Sequence, residues 1–259
     1  MDQLRGQRIL VTGVSRPGGI GAAIAEHCAR AGAAVLTHGL PEYDRQQRYP
    51  DADGLAGSSV AAQLRGEGLE VSALRDGDLA EPEEPGRIFA QVRDEHEIVD
   101  GLVVDHAYSV AEDFGAWTAA NIDRHLAVNV RASMLLVQEF AAALPKGRGG
   151  SIVLLTSGQY LGPMAGEIAY AVSKEAVRGV CTQASAALAP RGIRVNCVNP
   201  GPTDTGYAPG AAWELVRQRF PTGRWGEPRD AARLVRFLLS PDAEWITGQT
   251  IAAEGGFVR

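Results

Sequence analysis

Apolar positions along the chain fall into two rhythms. Seven short runs are apolar almost without interruption: RILVT (8–12), AAVLT (33–37), VSAL (71–74), GLVVD (101–105), SIVLLTS (151–157), IRVNCVN (193–199) and QTIAA (249–253). Runs of this length that lack alternation predict strands buried on both faces. Between them lie longer segments at 20–31, about 58–66, 82–97, 118–143, 167–189 and about 228–239, which read as helices. Gly32 follows the first of these, and Pro190 and Gly192 close the fifth, as stop signals do. The segment 82–97 carries its acidic residues in the first turn, where the helix dipole favours them. The stretch 39–58 is polar and rich in Pro, Gly and Asp, and predicts a long surface loop. Strands alternate with helices throughout. That order predicts an α/β fold: a Rossmann-type, doubly wound, mostly parallel seven-stranded sheet with helices on both faces, forming one domain over 1–259.

Composition changes this picture little. The chain has 259 residues, 45% hydrophobic and 22% charged, which suits one globular unit. A net charge of −6 argues against a nucleic-acid partner. Cys28, Cys181 and Cys197 form no CxxC pair and read as buried thiols of a reducing, cytoplasmic compartment. The opening MDQLRGQRILVTG lacks the apolar core of a signal peptide, and no run of about 20 apolar residues predicts a membrane span. The five histidines, at 27, 38, 96, 106 and 125, show no ligand spacing, so no metal is expected.

The candidate chemistry begins at TGVSRPGGIGAAIAEHCARAG (12–32), where Gly13, Gly18, Gly19 and Gly21 precede a helix. The first N–H groups of a helix lack partners, and its dipole attracts an anion. Glycines let the backbone approach a pyrophosphate closely. A glycine-rich turn alone is often only a turn. Its place between a buried strand and a helix is what favours a dinucleotide site.

The motifs in order resemble the short-chain dehydrogenase/reductase family. Thr12-Gly13 and Gly19-Ile20-Gly21 are similar to the family's TGxxxGxG, but five residues, VSRPG, separate Gly13 from Gly19 where three are usual. Asp78 in GDLAEP, Asn129 in HLAVNVRAS, Ser157, the Tyr170–Lys174 pair, NPGPTDT (199–205) and ITGQTIAAEGGF (246–257) match further segments. The resemblance implies hydride transfer between a nicotinamide cofactor and a ketone or secondary alcohol, with 3-oxoacyl-thioester reductases as the best analogy. It implies Ser157, Tyr170, Lys174 and Asn129 as catalytic residues. It implies cofactor contacts from Gly13, Ser15, Arg16, Gly19, Ile20, Gly21, His38, Asp78, Leu79, His106, Ala107, Tyr170, Lys174, Pro200, Gly201, Thr203 and Thr205. It also implies a homotetramer or homodimer built through 118–143, 167–189 and the C-terminal end.

The residue types suit that chemistry. Reducing a carbonyl requires a proton for the new alkoxide, and a tyrosine can give it. A free phenol has a pKa of about 10, which a nearby ammonium lowers. Tyr170 and Lys174 are four apart on one expected helix, so they share a face. By resemblance Lys174 also holds the nicotinamide ribose, Ser157 orients the substrate oxygen and Asn129 anchors a relay water. Taken alone, YxxxK also fits an ordinary surface pair.

Two departures leave alternatives open. The family's NNAG reads Val104-Asp105-His106-Ala107 here. An ionised Asp105 can only accept, so it has different donors or carries a proton. Asp105 then keeps a structural role with altered partners, or His106 reaches the substrate, or the cofactor site is impaired. At the end of the second strand, Thr37-His38-Gly39 supplies no carboxylate for the ribose hydroxyls. With Arg16 in the turn and Arg45 and Arg48 nearby, NADP(H) is favoured and NAD(H) remains possible, with Asp44 reaching the ribose in that case. Gln159, Tyr160 and Leu161 are expected to line the pocket. Tyr207, Trp213 and Phe220 either close over an apolar substrate or pack beneath a loop, with 208–212 as a mobile lid. The rival readings are a cofactor-binding regulator or scaffold without turnover, and an epimerase or dehydratase.

Overall fold

The computed structural model describes residues 3–52, 58–208 and 210–258. Its elements run β1 (Arg8–Thr12), α1 (Ile20–Arg30), β2 (Ala34–His38), α2 (Pro41–Gln46), α3 (Ser58–Gly66), β3 (Val71–Ala73), α4 (Glu84–His96), β4 (Gly101–Val104), α5 (Ala119–His125), α6 (Ala132–Ala143), β5 (Gly150–Leu155), α7 (Ile168–Leu188), β6 (Ile193–Asn199), α8 (Ala211–Arg217), α9 (Pro228–Leu239) and β7 (Thr250–Ala252). The seven strands are parallel, in the order β3-β2-β1-β4-β5-β6-β7.

Side chains along β1 show why its sequence is apolar without alternation. Ile9 and Val11 join a core with Ile24 of α1 and Val235 and Leu238 of α9. Leu10 joins the opposite core with Phe89 of α4, Leu136 and Phe140 of α6, and Cys181 of α7. Both faces of β1 are therefore covered by apolar side chains.

From β1 the chain winds out to β2 and β3, then returns to β4 on the other side of β1. A crevice opens at the carboxyl ends where the winding reverses. The register pairs Thr12 with His38 on one side and with Val104 on the other. Gly13, Gly39 and Asp105 thus leave the sheet side by side.

The structure differs from the sequence expectation in four places. The loop expected over 39–58 contains α2, with Pro41 at its start and Glu42 and Asp44 in its first turn. Both are helix-start signals, but the helix is six residues long and has no apolar period to reveal it. Residues 53–57 of that stretch lie outside the described residues. The helix expected at 118–143 is interrupted by a π-turn over Leu126–Arg131, which holds Asn129. Part of the expected lid is helical, because α8 starts at Ala211, while Pro209 lies outside the described residues. Finally, Ala119–Ala143 is long and apolar enough to cross a membrane by length and composition. Its Leu136, Val137 and Phe140 are buried in the core against the sheet.

Candidate active site

A cavity of about 1020 Å³ fills the crevice at the strand ends. Gly13, Ser15, Arg16, Gly19, Ile20, His38, Asp78, Leu79, His106, Ala107, Ser157, Tyr170, Lys174, Pro200, Gly201, Thr203 and Thr205 all line it. Gly21 and Asn129 do not, and stand behind its wall.

The glycine turn is held tightly against the sheet. Gly13 has φ 80°, and a Cβ there would lie 2.7 Å from the His106 backbone nitrogen. The helix α1 has no side-chain cap at Gly19 and no acidic residue in its first turn. An uncapped N-terminus facing a cavity of dinucleotide size is what a pyrophosphate requires. The residues present therefore fit a nicotinamide dinucleotide.

The floor of the cavity comes from β5 and α7. Ser157 follows β5, and Tyr170 and Lys174 project from consecutive turns of α7. The Lys174 ammonium donates to the Leu155 carbonyl at 2.9 Å and lies 5.8 Å from the Tyr170 ring centre. Burial brings Lys174 down to about 8, against the opposing pull of the Asp105 charge. The phenol departs from the sequence argument. Burial pushes the Tyr170 hydroxyl up, the hydrogen bond from Ser157 opposes this, and the charge of Glu167 adds to it. The ammonium is turned to a carbonyl, so the phenol is a protonated donor at neutral pH.

Behind this floor, the Asn129 amide donates to the Tyr108 carbonyl at 2.9 Å and to the Ser173 hydroxyl at 2.8 Å, and accepts from the Tyr108 N–H at 2.7 Å. Both its N–H bonds are committed, and they tie the loop after β4 to α7.

The sequence profile of the family described as Enoyl-(Acyl carrier protein) reductase matches residues 13–258. The chain is a short-chain dehydrogenase/reductase, an NAD(P)-dependent oxidoreductase. It is 37% identical over 253 residues to the uncharacterized oxidoreductase YjdA of Bacillus subtilis, covering 96% of each chain. It is 32% identical over 262 residues to an NADPH-dependent aldehyde reductase-like chloroplastic protein of Arabidopsis thaliana, covering 98% of this chain and 95% of that one. The crystal structure of the angucycline C-6 ketoreductase LanV with bound NADP superposes with a TM-score of 0.86 at 31% identity, covering 98% of this chain and 96% of that one.

As a short-chain dehydrogenase/reductase, the chain is unusual at Asp105 and His106. Both side chains are engaged within the fold. The His106 Nε2 lies 3.0 Å from the Val128 carbonyl, which only accepts, so Nε2 carries the proton. Nδ1 must then accept, and the Thr12 hydroxyl donates to it at 2.8 Å. The ring bridges β1 to the π-turn. Burial, with the charge of Lys174, pushes it down to about 3 and keeps it neutral. Both ring nitrogens are thus engaged inside the protein. Asp105 instead accepts from the Gly21 N–H, and burial pushes its carboxyl up to about 7 despite the nearby Lys174 charge.

This pair yields a pH prediction. The Asp105 charge holds the Lys174 ammonium up, so Asp105→Asn moves loss of that ammonium below about 8. The alkaline limb of the kcat/KM profile then shifts to lower pH. The raised Asp105 also binds a proton in the folded state that the unfolded chain releases, between about 3.8 and about 7. Wild-type stability therefore falls as pH rises through that window. Asp105→Asn lacks this fall, which melting curves from pH 4 to 8 read directly.

At the adenosine end, His38 is buried, with Nε2 3.4 Å from Glu84 Oε1 and Nδ1 without a hydrogen-bond partner among the described residues. Asp78 accepts from Arg124 at 2.8 Å and from the Ala80 N–H at 2.8 Å. Arg45 turns to Glu42, and neither it nor the exposed Arg48 lines the cavity. Asp44 does line it. The Tyr43 hydroxyl of α2 accepts from the Ser109 N–H at 3.0 Å and donates to the Ser109 carbonyl at 3.2 Å. No sequence signal marked that latch.

The substrate end needs two corrections. Gln159, Tyr160 and Leu161 do not line the cavity; Gly162, Pro163 and Met164 do. Gln159 donates to Thr156 and Glu175, the Arg178 guanidinium stacks on Tyr160 at 4.0 Å, and Leu161 is exposed. Of Tyr207, Trp213 and Phe220, Tyr207 alone lines the cavity. Trp213 stacks on Trp225 at 5.9 Å, and Phe220 is buried against Trp225 and Phe257. Packing beneath the loop is what these two do.

Proposed function

We propose that the protein reduces a ketone, reversibly to a secondary alcohol, with NADP(H) favoured over NAD(H) and Tyr170 as the proton donor. The observation that carries this reading is the meeting of Ser157, Tyr170 and Lys174 on the floor of a cleft whose wall is the glycine turn. A nicotinamide bound there supplies the hydride. The Ser157 hydroxyl orients the carbonyl oxygen beside the phenol. Tyr170, held protonated by burial, gives its proton to that oxygen as negative charge develops on it. The Lys174 ammonium, anchored on Leu155, holds the ribose end of the nucleotide and stabilises the phenolate left behind. Asn129 acts as a positioning residue through Tyr108 and Ser173.

The NADP(H) preference rests on Arg16 in the cleft and on His38 standing where a carboxylate would repel a 2′-phosphate. The NADP in the LanV structure and the NADPH-dependent Arabidopsis relative support it. Fluorescence titration should show NADPH binding more tightly than NADH. A preference for NADH of about tenfold, or 1.4 kcal/mol, overturns the preference. A carbonyl panel then tests turnover by loss of reduced cofactor. Binding without turnover favours a regulator, and conversion without net loss of reduced cofactor favours an epimerase or dehydratase.

The reading extends to assembly. Leu126 in the π-turn, Met134 on α6, Val172 on α7 and Trp245 near β7 are exposed apolar side chains, Trp245 at 97%. They support a homotetramer or homodimer formed through these helices and the C-terminal end. Sedimentation should show no monomer at micromolar concentration. The buried free thiols support a cytoplasmic setting.

A further inference from the structure

The two residues inserted in the glycine turn have a structural consequence that the proposed chemistry does not use. Arg16, in the lengthened turn, does not point freely into the cleft. Its Nη1 donates to Asp51 Oδ1 at 2.8 Å, and the Gly18 N–H donates to Asp51 Oδ2 at 2.6 Å. The guanidinium lies over the Tyr49 ring at 3.8 Å, with Asp44 3.9 Å from Nε. Its side chain is 8% exposed. One carboxylate thus spans a guanidinium and a backbone N–H of the turn, using both its oxygens. That donor pair is what an anion with several acceptor oxygens seeks.

We propose that Asp51 is a specificity-determining residue, occupying in the unliganded chain the seat that Arg16 and the Gly18 N–H offer to the 2′-phosphate of NADP(H). The inference rests on the NADP(H) reading above. A phosphate monoester carries nearly two negative charges and three acceptor oxygens, against one charge and two oxygens on Asp51. It displaces the carboxylate. The cost of opening that clasp is subtracted from NADP(H) affinity alone, because the apparent affinity scales with the fraction of molecules whose seat is open. A nucleotide with a free 2′-hydroxyl binds with the clasp closed. The strength of the Arg16–Asp51 pair therefore sets the ratio between the two cofactors.

The test is calorimetric titration of the full chain with NADPH, NADH, AMP and the adenosine bisphosphate that carries a 2′-phosphate. Asp51→Asn keeps an acceptor for the Gly18 N–H and removes only the charge facing Arg16. Asp51→Ala removes both bonds. In both variants NADPH and the bisphosphate should bind about tenfold more tightly, while NADH and AMP are unchanged. The gain should vanish when Arg16→Met is added. NADPH binding that is unchanged or weaker in Asp51→Asn, with NADH unaffected, overturns the proposal and makes Asp51 a brace for the turn. Failure of the wild type to bind NADPH at all overturns the cofactor reading itself, and this inference with it. The two failures are thereby distinct.

Discussion

Tyr170→Phe lowers kcat by about 10²–10⁴-fold while leaving NADPH binding close to wild type. The substitution removes one oxygen and keeps the ring that packs 5.8 Å from the Lys174 ammonium, so the cleft keeps its shape. What disappears is the proposed proton donor beside Ser157. Because burial pushes the phenol up, it stays protonated through neutral pH, which suits reduction. Oxidation needs the same group as a base, so the oxidative rate rises towards alkaline pH, where the phenol begins to ionise. Both statements are read from pH profiles of wild type and variant on one ketone and its alcohol, with cofactor affinity measured separately. A variant that keeps most of its reductase rate assigns the acid elsewhere and removes the centre of the proposed mechanism.

The second large effect is expected from Gly13→Ala, at about 2–5 kcal/mol of stability together with loss of NADPH binding. Two separate costs meet at this position. At φ 80° a side chain strains the backbone, and its Cβ would stand 2.7 Å from the His106 backbone nitrogen and 2.9 Å from the Asp105 carbonyl carbon. All three nearest atoms belong to the Asp105–His106 backbone, so no flexible side chain can yield. The turn must lift, carrying the start of α1 away from the cleft. Gly147 separates the costs, since it has φ 82° but nothing within 4 Å of a Cβ. Gly147→Ala should cost only the conformational part, about 1–2 kcal/mol, and leave NADPH affinity intact. Equal losses at the two positions would mean that crowding against His106 contributes nothing.

The main lines of the fold were legible because their signals are local. Apolar runs in β1, β4, β5 and β6 needed no partner to be recognised, since a strand buried on both faces has no alternation to keep. The four-residue spacing of Tyr170 and Lys174 places them together on any helix. The short helix α2 was missed because six residues carry too little periodicity to outweigh Pro, Asp and Gln in a polar stretch. Trp213 and Phe220 were ambiguous for a different reason. An aromatic side chain reads alike whether it covers a substrate or another ring, and only the position of Trp225 resolves it.

The sequence by itself determined the doubly wound sheet, the glycine turn before α1 and the Ser157–Tyr170–Lys174 constellation. The sheet and the turn follow from apolar pattern and spacing along the chain, and the constellation from the resemblance to the short-chain dehydrogenase/reductase family. Only the tertiary structure decided that His106 bridges Thr12 and Val128, that Asp51 reaches Arg16 from 35 residues away, and that the Tyr170 phenol is pushed up. Those outcomes depend on burial and on partners distant in sequence. A tautomer, an ion pair and a proton affinity are set by what surrounds a group in space, and residue order does not state that.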